Sequence, residues 1–181
     1  MKNLTLIIPA KNEAESLPNF LEELKPLNAN ITIVLQDNDL ETINSIKNTK
    51  NVNYHGFLDN GKIIDLLKKI HIFSYPSIWH ETSCIAAIEA MAAGCEVVTT
   101  NLGALYETCS PFGTLVNFDR NFNNLEKKYS KFLLNSIKNF WSEENQKKLK
   151  LQSETINSTY SWNVRAIEWK DFFNEARRLK G

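Results

Sequence analysis

Short runs of apolar and β-branched residues alternate with amphipathic stretches over the first two thirds of the chain. The runs predict about six strands, at Leu4–Ile8, Ile31–Leu35, Val52–His55, Ile72–Tyr75, Glu96–Thr99 and Thr114–Val116. Between them the apolar positions follow helical spacing, as in the series Ile63, Ile64, Leu66, Leu67 and Ile70. Strands that alternate with crossover helices favour a parallel sheet with helices on both faces.

From about Asn121 onward the strand pattern stops, and helices are predicted for the rest of the chain. Glu143–Lys150 is strongly charged, which is typical of a solvated helix face. The last helix, with Ser161 as its expected N-cap, carries an apolar stripe that favours core packing over a cofactor site: Trp162, Ala166, Trp169, Phe173 and Ala176. We therefore predict one Rossmann-like, doubly wound α/β domain over residues 1–181, with strands and crossover helices in 1–120 and a mainly helical segment in 121–181.

Length and charge exclude several classes of function. The 181 residues fit one domain, and 21 basic residues balance 21 acidic ones, so charge indicates neither nucleic acid nor an anionic membrane as the main partner. The cysteines, Cys84, Cys95 and Cys109, are odd in number and lack metal-ligand spacing, which favours a reducing, cytoplasmic setting. The first eight residues are too short an apolar run to span a membrane. We expect a soluble protein, with peripheral membrane association left open.

The loop after the fourth predicted strand is the strongest candidate for a ligand site, because open parallel sheets bind ligands beyond the carboxyl ends of their strands. Residues 76–83 lead into a helix of sequence CIAAIEAMAA, which Gly94 is suited to terminate. Thr82 or Ser83 is expected to cap the start of that helix. The unpaired N–H groups of its first turn would form an anion site that suits a diphosphate.

Glu89 is the only charged residue in that helix, and its neighbours on the same face are apolar. Either its carboxylate is buried and needs a hydrogen-bond partner, such as a pair of sugar hydroxyls, or it is an exposed glutamate on an alanine-rich helix. Glu81 precedes it by a span of roughly 10 Å at a rise of about 1.5 Å per residue. Two carboxylates that flank a helix N-terminus suit a nucleotide sugar, with hydroxyls at each end and phosphates between.

The run YPSIWHETSCIAAIEAMAAGCEVVTTNLGALYE resembles the C-terminal, donor-binding domain of retaining GT-B glycosyltransferases of the glycogen-synthase-like group. The pattern comprises a Glu-x7-Glu pair, an Ala-rich turn, a glycine, a Val-Val strand and Gly-x-x-x-Glu. Its positions here are Glu81, Glu89, Gly94, Val97-Val98, Gly103 and Glu107. The segments VNYHGFL, LLKKIHIFSYPS and YSWNVRAIEWKDFF also resemble the family, so the resemblance covers roughly residues 52–176.

The resemblance implies a role for each residue of the site. Glu89 would hold the ribose hydroxyls, and Glu81 would act near the reacting carbon of the donor sugar. The backbone amides of Thr82, Ser83 and Cys84 would bind the diphosphate or sugar. Gly56 and Phe57, in the loop after the third strand, would flank the base. Family members also carry an arginine and a lysine after the first strand to neutralise the leaving diphosphate. Here residues 9–13 offer only Lys11, beside Glu13 of opposite sign. The donor would be a UDP or GDP sugar, bound without a metal or other cofactor.

Other functions stay open beside that of a hexosyltransferase in glycan or polysaccharide biosynthesis. GT-B enzymes place the acceptor on a separate N-terminal domain, so a second polypeptide or domain would supply it here. The chain would otherwise be a non-catalytic nucleotide-sugar-binding subunit or a fragment. The opening LTLIIPAKNEAESLP also resembles family-2 glycosyltransferases of the GT-A type, which hold a metal through Asp-x-Asp. Asp37-Asn38-Asp39 fits that pattern but follows the second strand, too early for this role.

Overall fold

A computed structural model describes residues 5–10, 30–35, 44, 47–48 and 50–180. Six strands form one sheet: β1 (Thr5–Ala10), β2 (Asn30–Leu35), β3 (Val52–Tyr54), β4 (Ile72–Tyr75), β5 (Glu96–Thr100) and β6 (Thr114–Val116). Their order across the sheet is β3-β2-β1-β4-β5-β6, and every adjacent pair is parallel. The predicted six-stranded, doubly wound sheet is therefore confirmed, with its topological switch point between β1 and β4.

The observed strand bounds differ from the predicted ones mainly at the carboxyl ends. β4 and β6 agree residue for residue, whereas β5 is longer by Thr100 and β1 runs through Pro9 to Ala10. Proline cannot donate to a strand ladder and usually ends a central strand. Here β1 pairs with β4 at Leu6 and Ile7, before the proline, and with β2 as far as Ala10. Pro9 thus lies at the end of β1 that faces the switch point.

Six helices have described bounds: α1 (Asn60–Leu67), α2 (Ile85–Ala92), α3 (Leu105–Cys109), α4 (Phe122–Asn139), α5 (Glu143–Thr159) and α6 (Trp162–Lys180). The helical segment predicted after Asn121 is confirmed as α4, α5 and α6. Ser161 caps α6 as expected, since its Oγ accepts from the Val164 N–H at 3.3 Å. Asp59 and Ser142 cap α1 and α5 in the same way.

Alternate strand residues fill two separate cores, one on each face of the sheet. Leu6, Ile72 and Val98 pack with Leu125, Tyr129 and Leu133 of α4 on the first face. Their chain neighbours Ile7, Phe73 and Val97 pack on the second face with Ala87, Ala90 and Met91 of α2. Strands buried on both sides explain why their sequences read as continuous apolar runs rather than alternating ones.

The apolar stripe of α6 does not pack into the core, so the predicted packing is wrong. Trp162, Trp169 and Phe173 are 88%, 59% and 53% exposed, and Phe172 beside them is exposed as well. The rings of Trp169, Phe172 and Phe173 contact one another instead, with Trp169 stacked on Phe173 at 5.5 Å between centroids. Helical spacing identifies an apolar face but carries no information about what covers it. Trp162, Trp169, Phe172 and Phe173 are referred to below as the aromatic surface.

None of the helices among the described residues combines the length and the apolar character needed to cross a membrane.

Candidate functional site

The loop between β4 and α2 opens at the carboxyl edge of the sheet, beside the switch point. It follows Tyr75 and contains Glu81, Thr82 and Ser83 before α2 begins at Ile85. Lys11 comes directly after β1, the strand adjacent to β4, but it lies outside the described residues, as do Asp37-Asn38-Asp39. The site can therefore be built from the β4–α2 loop and the elements that hold it.

The backbone of Glu81 is fixed by the loop that follows β5. The Ala104 N–H donates to the Glu81 carbonyl at 2.8 Å, and Gly103 forms a parallel bridge with Glu81. Gly103 has φ +61°, and a Cβ at this position would lie 2.6 Å from the Glu81 carbonyl oxygen and 2.7 Å from its nitrogen. Such contacts are shorter than any side chain tolerates, so only glycine fits. The glycine of the Gly-x-x-x-Glu pattern therefore positions Glu81.

The side chain of Glu81 is held by Tyr75, a residue that the sequence did not single out. The Tyr75 hydroxyl donates to Glu81 Oε1 at 2.5 Å. The Tyr75 carbonyl in turn accepts from Thr99 Oγ1 at 2.7 Å and from the Ser77 N–H at 2.8 Å. Burial, reinforced by the bond to Glu81, raises the pKa of Tyr75 well above its ordinary value, so the hydroxyl stays protonated and able to donate. A tyrosine at a strand end beside the Glu-containing loop was the available signal.

α2 starts one or two residues later than predicted, and the expected caps are wrong. Cys84 is the N-cap residue and makes no side-chain cap bond. The Cys84 carbonyl accepts from the N–H groups of Ala87 and Ile88 and is therefore the first carbonyl to accept a helical hydrogen bond. Thr82 and Ser83 precede it in the chain, and both are exposed. Among the described residues, no acceptor bonds the backbone N–H groups of residues 82–86. The helix start thus retains the free donors that an anion site requires.

Cys84 contributes its backbone rather than its thiol. The side chain is buried, and burial raises the pKa of the Cys84 thiol to about 11, so it stays protonated at neutral pH. Cys95 and Cys109 are buried free cysteines as well, each with a pKa raised by burial to about 12. A cysteine nucleophile is thus not indicated. Within the described ranges, no group of three or more His, Cys, Asp and Glu side chains could hold a metal ion.

Glu89 is half-buried in α2, roughly 6 Å along the axis from the first residue of the helix at about 1.5 Å per residue. Its carboxylate has no hydrogen-bond partner in the part of the chain that the structure describes. The environment therefore lies between the two that the sequence left open, the buried and the exposed carboxylate. The role of Glu89 as the ribose ligand stays a prediction.

The far end of α2 is closed by backbone turns and by α5. Gly94, with φ +88°, occupies the C′ position as predicted, and Cys95 N–H donates to the Ala90 carbonyl at 2.9 Å. Gln152 of α5 donates to the carbonyls of Met91 and Cys95 at 3.2 and 2.8 Å. Its neighbours Ser153 and Asn157 donate to the Ala92 carbonyl. α2 is thus satisfied at its C-terminus and open at its N-terminus.

Gly56 and Phe57 lie at the same edge of the sheet, but after β3 and therefore three strands away from β4. At a strand spacing of about 4.8 Å this is a separation of roughly 14 Å. Gly56 has φ +63°, which favours glycine, and Phe57 is 75% exposed. The structure does not bring these residues into contact with Glu81, and their assignment to the base stays a prediction.

A comparison with known protein families identifies the family of this chain. The sequence profile of the family described as "Glycosyl transferases group 1" matches residues 15–153, well over half of the chain. The chain belongs to the group 1 glycosyltransferases. This membership confirms the family resemblance carried by Glu81, Glu89 and Gly103. Comparison with curated protein sequences gives no significant match.

Several solved structures share the fold of this chain. A glycosyltransferase from Rickettsia africae ESF-5 has a TM-score of 0.79 at 17% identity, over 97% of this chain and 48% of its own. HepE from Anabaena, in complex with UDP and glucose, has a TM-score of 0.70 at 14% identity, over 97% and 48%. Starch synthase IV from Arabidopsis thaliana, bound to ADP and acarbose, has 0.70 at 12%, over 97% and 38%. The present chain thus spans less than half the length of each of these proteins.

Proposed function

We propose that this chain is the donor-binding half of a retaining glycosyltransferase and that it binds a nucleoside-diphosphate sugar of the UDP or GDP type. The observation that carries the proposal is the β4–α2 loop, where a fixed glutamate precedes a helix whose first N–H groups have no acceptor among the described residues. A diphosphate at the helix start would accept from the backbone of Thr82, Ser83 and Cys84. Two of the compared structures, which share this fold, contain UDP or ADP.

The two carboxylates would divide the donor between them. Glu89, half-buried and without a hydrogen-bond partner among the described residues, would accept from the ribose hydroxyls. Glu81, held by Tyr75, would face the hydroxyls of the donor sugar near the reacting carbon. Lys11 would help neutralise the leaving diphosphate, and Gly56 with Phe57 would flank the base. No metal or other cofactor enters this proposal.

Calorimetric titration of the chain with UDP-glucose and GDP-mannose, each with and without EDTA, tests donor binding. We expect one of them to bind without metal, and Glu89→Ala to weaken both the sugar nucleotide and the free nucleotide, because the ribose is common to both. Glu144→Ala, an exposed acidic residue in the first turn of α5, is the matched control. Undiminished affinity in Glu89→Ala would refute the ribose assignment, and a strict metal requirement would favour a GT-A type site.

A non-catalytic, nucleotide-sugar-binding subunit is the second candidate. It is favoured by the sequence of residues 9–13, in which Lys11 is the only cation and Glu13 adds an opposing charge. Transfer and binding are distinguished by the release of free nucleotide from the donor under turnover conditions. Transfer would be supported if the chain releases free nucleotide together with an acceptor-supplying partner and if Glu81→Ala abolishes this release. Binding without release in any combination would support the subunit.

A second domain or polypeptide would supply the acceptor, and the aromatic surface of α6 is the face we assign to it. Four aromatic side chains stay exposed on this helix, and the chain spans 38–48% of the three compared structures. Exposed apolar patches of this kind commonly mark protein interfaces. Trp169→Ser with Phe173→Ser should abolish complex formation and transfer with a co-expressed acceptor-domain polypeptide, whereas Asp171→Ser should not. Concentration-dependent dimerisation of the isolated chain through the same residues would identify a second copy as the occupant instead.

A further inference from the structure

The geometry of the β4–α2 loop indicates an additional residue of the site, and its assignment rests on the donor binding proposed above. We propose that Tyr75 is a positioning residue for Glu81, whose carboxylate it holds in one orientation for the hydroxyls of the donor sugar. Its hydroxyl occupies Oε1, which leaves Oε2 of the same carboxylate to accept from a ligand.

Tyr75 is a rigid support for this bond. It is the last residue of β4, which lies in the interior of the sheet between β1 and β5. Thr99 of β5 and the turn at Ser77 both donate to its carbonyl. Its half-buried ring packs against the core of the second face and lies 6.1 Å from the ring of Phe73. The hydroxyl is therefore placed by the sheet itself rather than by a loop.

Glu81 is held at both ends as a result. Its backbone is fixed through Gly103 and Ala104, and its carboxylate is fixed through Tyr75. A glutamate side chain on a loop otherwise loses considerable rotamer freedom when it binds a ligand. Because Tyr75 orders the carboxylate in advance, binding of the sugar would not incur that entropy loss. Burial also keeps the pKa of Tyr75 high, so the hydroxyl remains a donor throughout the neutral pH range.

The experiment compares the sugar nucleotide with the free nucleotide, because only the former reaches Glu81. The probes are UDP-glucose with UDP, or GDP-mannose with GDP, whichever pair the wild-type chain binds. For Tyr75→Phe we expect the ratio of the two dissociation constants to change by about tenfold against the sugar nucleotide, a free energy of about 1.4 kcal/mol. The affinity for the free nucleotide should stay unchanged. Tyr160→Phe, at the exposed end of α5, is the matched control and should leave both affinities unchanged.

A double-mutant cycle assigns the effect to Glu81. In the Glu81→Ala background, Tyr75→Phe should no longer alter the ratio, because the group that it positions is gone. An equal loss of affinity for both ligands in Tyr75→Phe would mean a merely structural tyrosine and would overturn the proposal. The same tenfold change in the Glu81→Ala background would also overturn it, since Tyr75 would then act independently. If the wild-type chain binds neither pair, the proposed function fails first and the assignment of Tyr75 falls with it.

Discussion

Gly103→Ala is the substitution for which the structure makes the sharpest prediction. The added methyl group would lie 2.6 Å from the carbonyl oxygen and 2.7 Å from the nitrogen of Glu81, and 3.0 Å from the carbonyl carbon of His80. All three atoms are backbone, so no side-chain rotation can relieve the overlap. To restore an ordinary contact of 3.4 Å, the two loops would have to separate by 3.4 − 2.6 = 0.8 Å.

Two costs add at this position. A non-glycine residue in the left-handed region, here at φ +61°, costs about 1–2 kcal/mol. Separation of the loops also weakens the bond of 2.8 Å from the Ala104 N–H to the Glu81 carbonyl, a contribution of about 1 kcal/mol. We therefore expect Gly103→Ala to lower the free energy of unfolding by about 2–3 kcal/mol. Because Glu81 moves with the loop, the affinity for the sugar nucleotide should fall further than that for the free nucleotide.

Gly94→Ala provides the control, because Gly94 has φ +88° but nothing within 4 Å of its added methyl group. It incurs the conformational cost of about 1–2 kcal/mol without the steric one. Urea unfolding followed by circular dichroism measures both variants against the wild type. If Gly103→Ala is no more destabilising than Gly94→Ala, and the ligand ratio is unchanged, the close approach does not position Glu81.

Three further results are expected. The buried cysteines, with pKa values of about 11–12, should react with a thiol reagent near pH 8 far more slowly in the native chain than after denaturation; fast native labelling would contradict their burial. Burial lowers the pKa of His71, and its Nδ1 accepts from the Thr5 N–H at 3.1 Å. The contribution of neutral His71 to stability is therefore present above the ordinary pKa of 6.5 and is lost as the pH falls below that value. The unfolding free energy should therefore depend less on pH in His71→Phe than in the wild type, and an equal pH dependence in both would contradict this assignment. Gln152→Leu removes the two hydrogen bonds from α5 to the carbonyls of Met91 and Cys95 and should cost about 1–3 kcal/mol in urea unfolding; a neutral result would mean that these bonds do not hold α5 against α2.

The sheet was predictable because its information is local. Buried parallel strands have short apolar runs with abrupt polar ends, and these runs located β4 and β6 to the residue. The Glu-containing loop was predictable for a different reason, since a fixed spacing from Glu81 to Gly103 identifies a family. Both signals lie within short stretches of sequence and need no knowledge of distant contacts.

The parts that the sequence did not predict depend on contacts between distant elements. Tyr75 is six positions from Glu81 in the chain, yet its role follows from the loop folding back over the strand end. The N-cap of α2 lies at Cys84 rather than at Thr82 or Ser83, and the chain just before it is held at Glu81 by the bridge to Gly103, a contact that the local sequence does not reveal. The stripe of α6 has the same periodicity whether it is covered or exposed, so sequence spacing alone could not distinguish the two.

The charges of the β4–α2 segment separate binding from transfer. From Pro76 to Ala93 the sequence has no lysine or arginine, and Glu81 and Glu89 are its only acidic residues. The start of α2 supplies a positive partial charge of about half an elementary charge. This is enough to favour a phosphate, but it is far less than the negative charge that a leaving diphosphate develops. Binding can rest on the backbone donors and on hydroxyl bonds to the carboxylates, whereas departure of the diphosphate needs a cation from elsewhere. If Lys11 supplies it, Lys11→Ala should abolish transfer with little effect on donor affinity; if Lys11→Ala leaves transfer intact, Lys11 is not that cation.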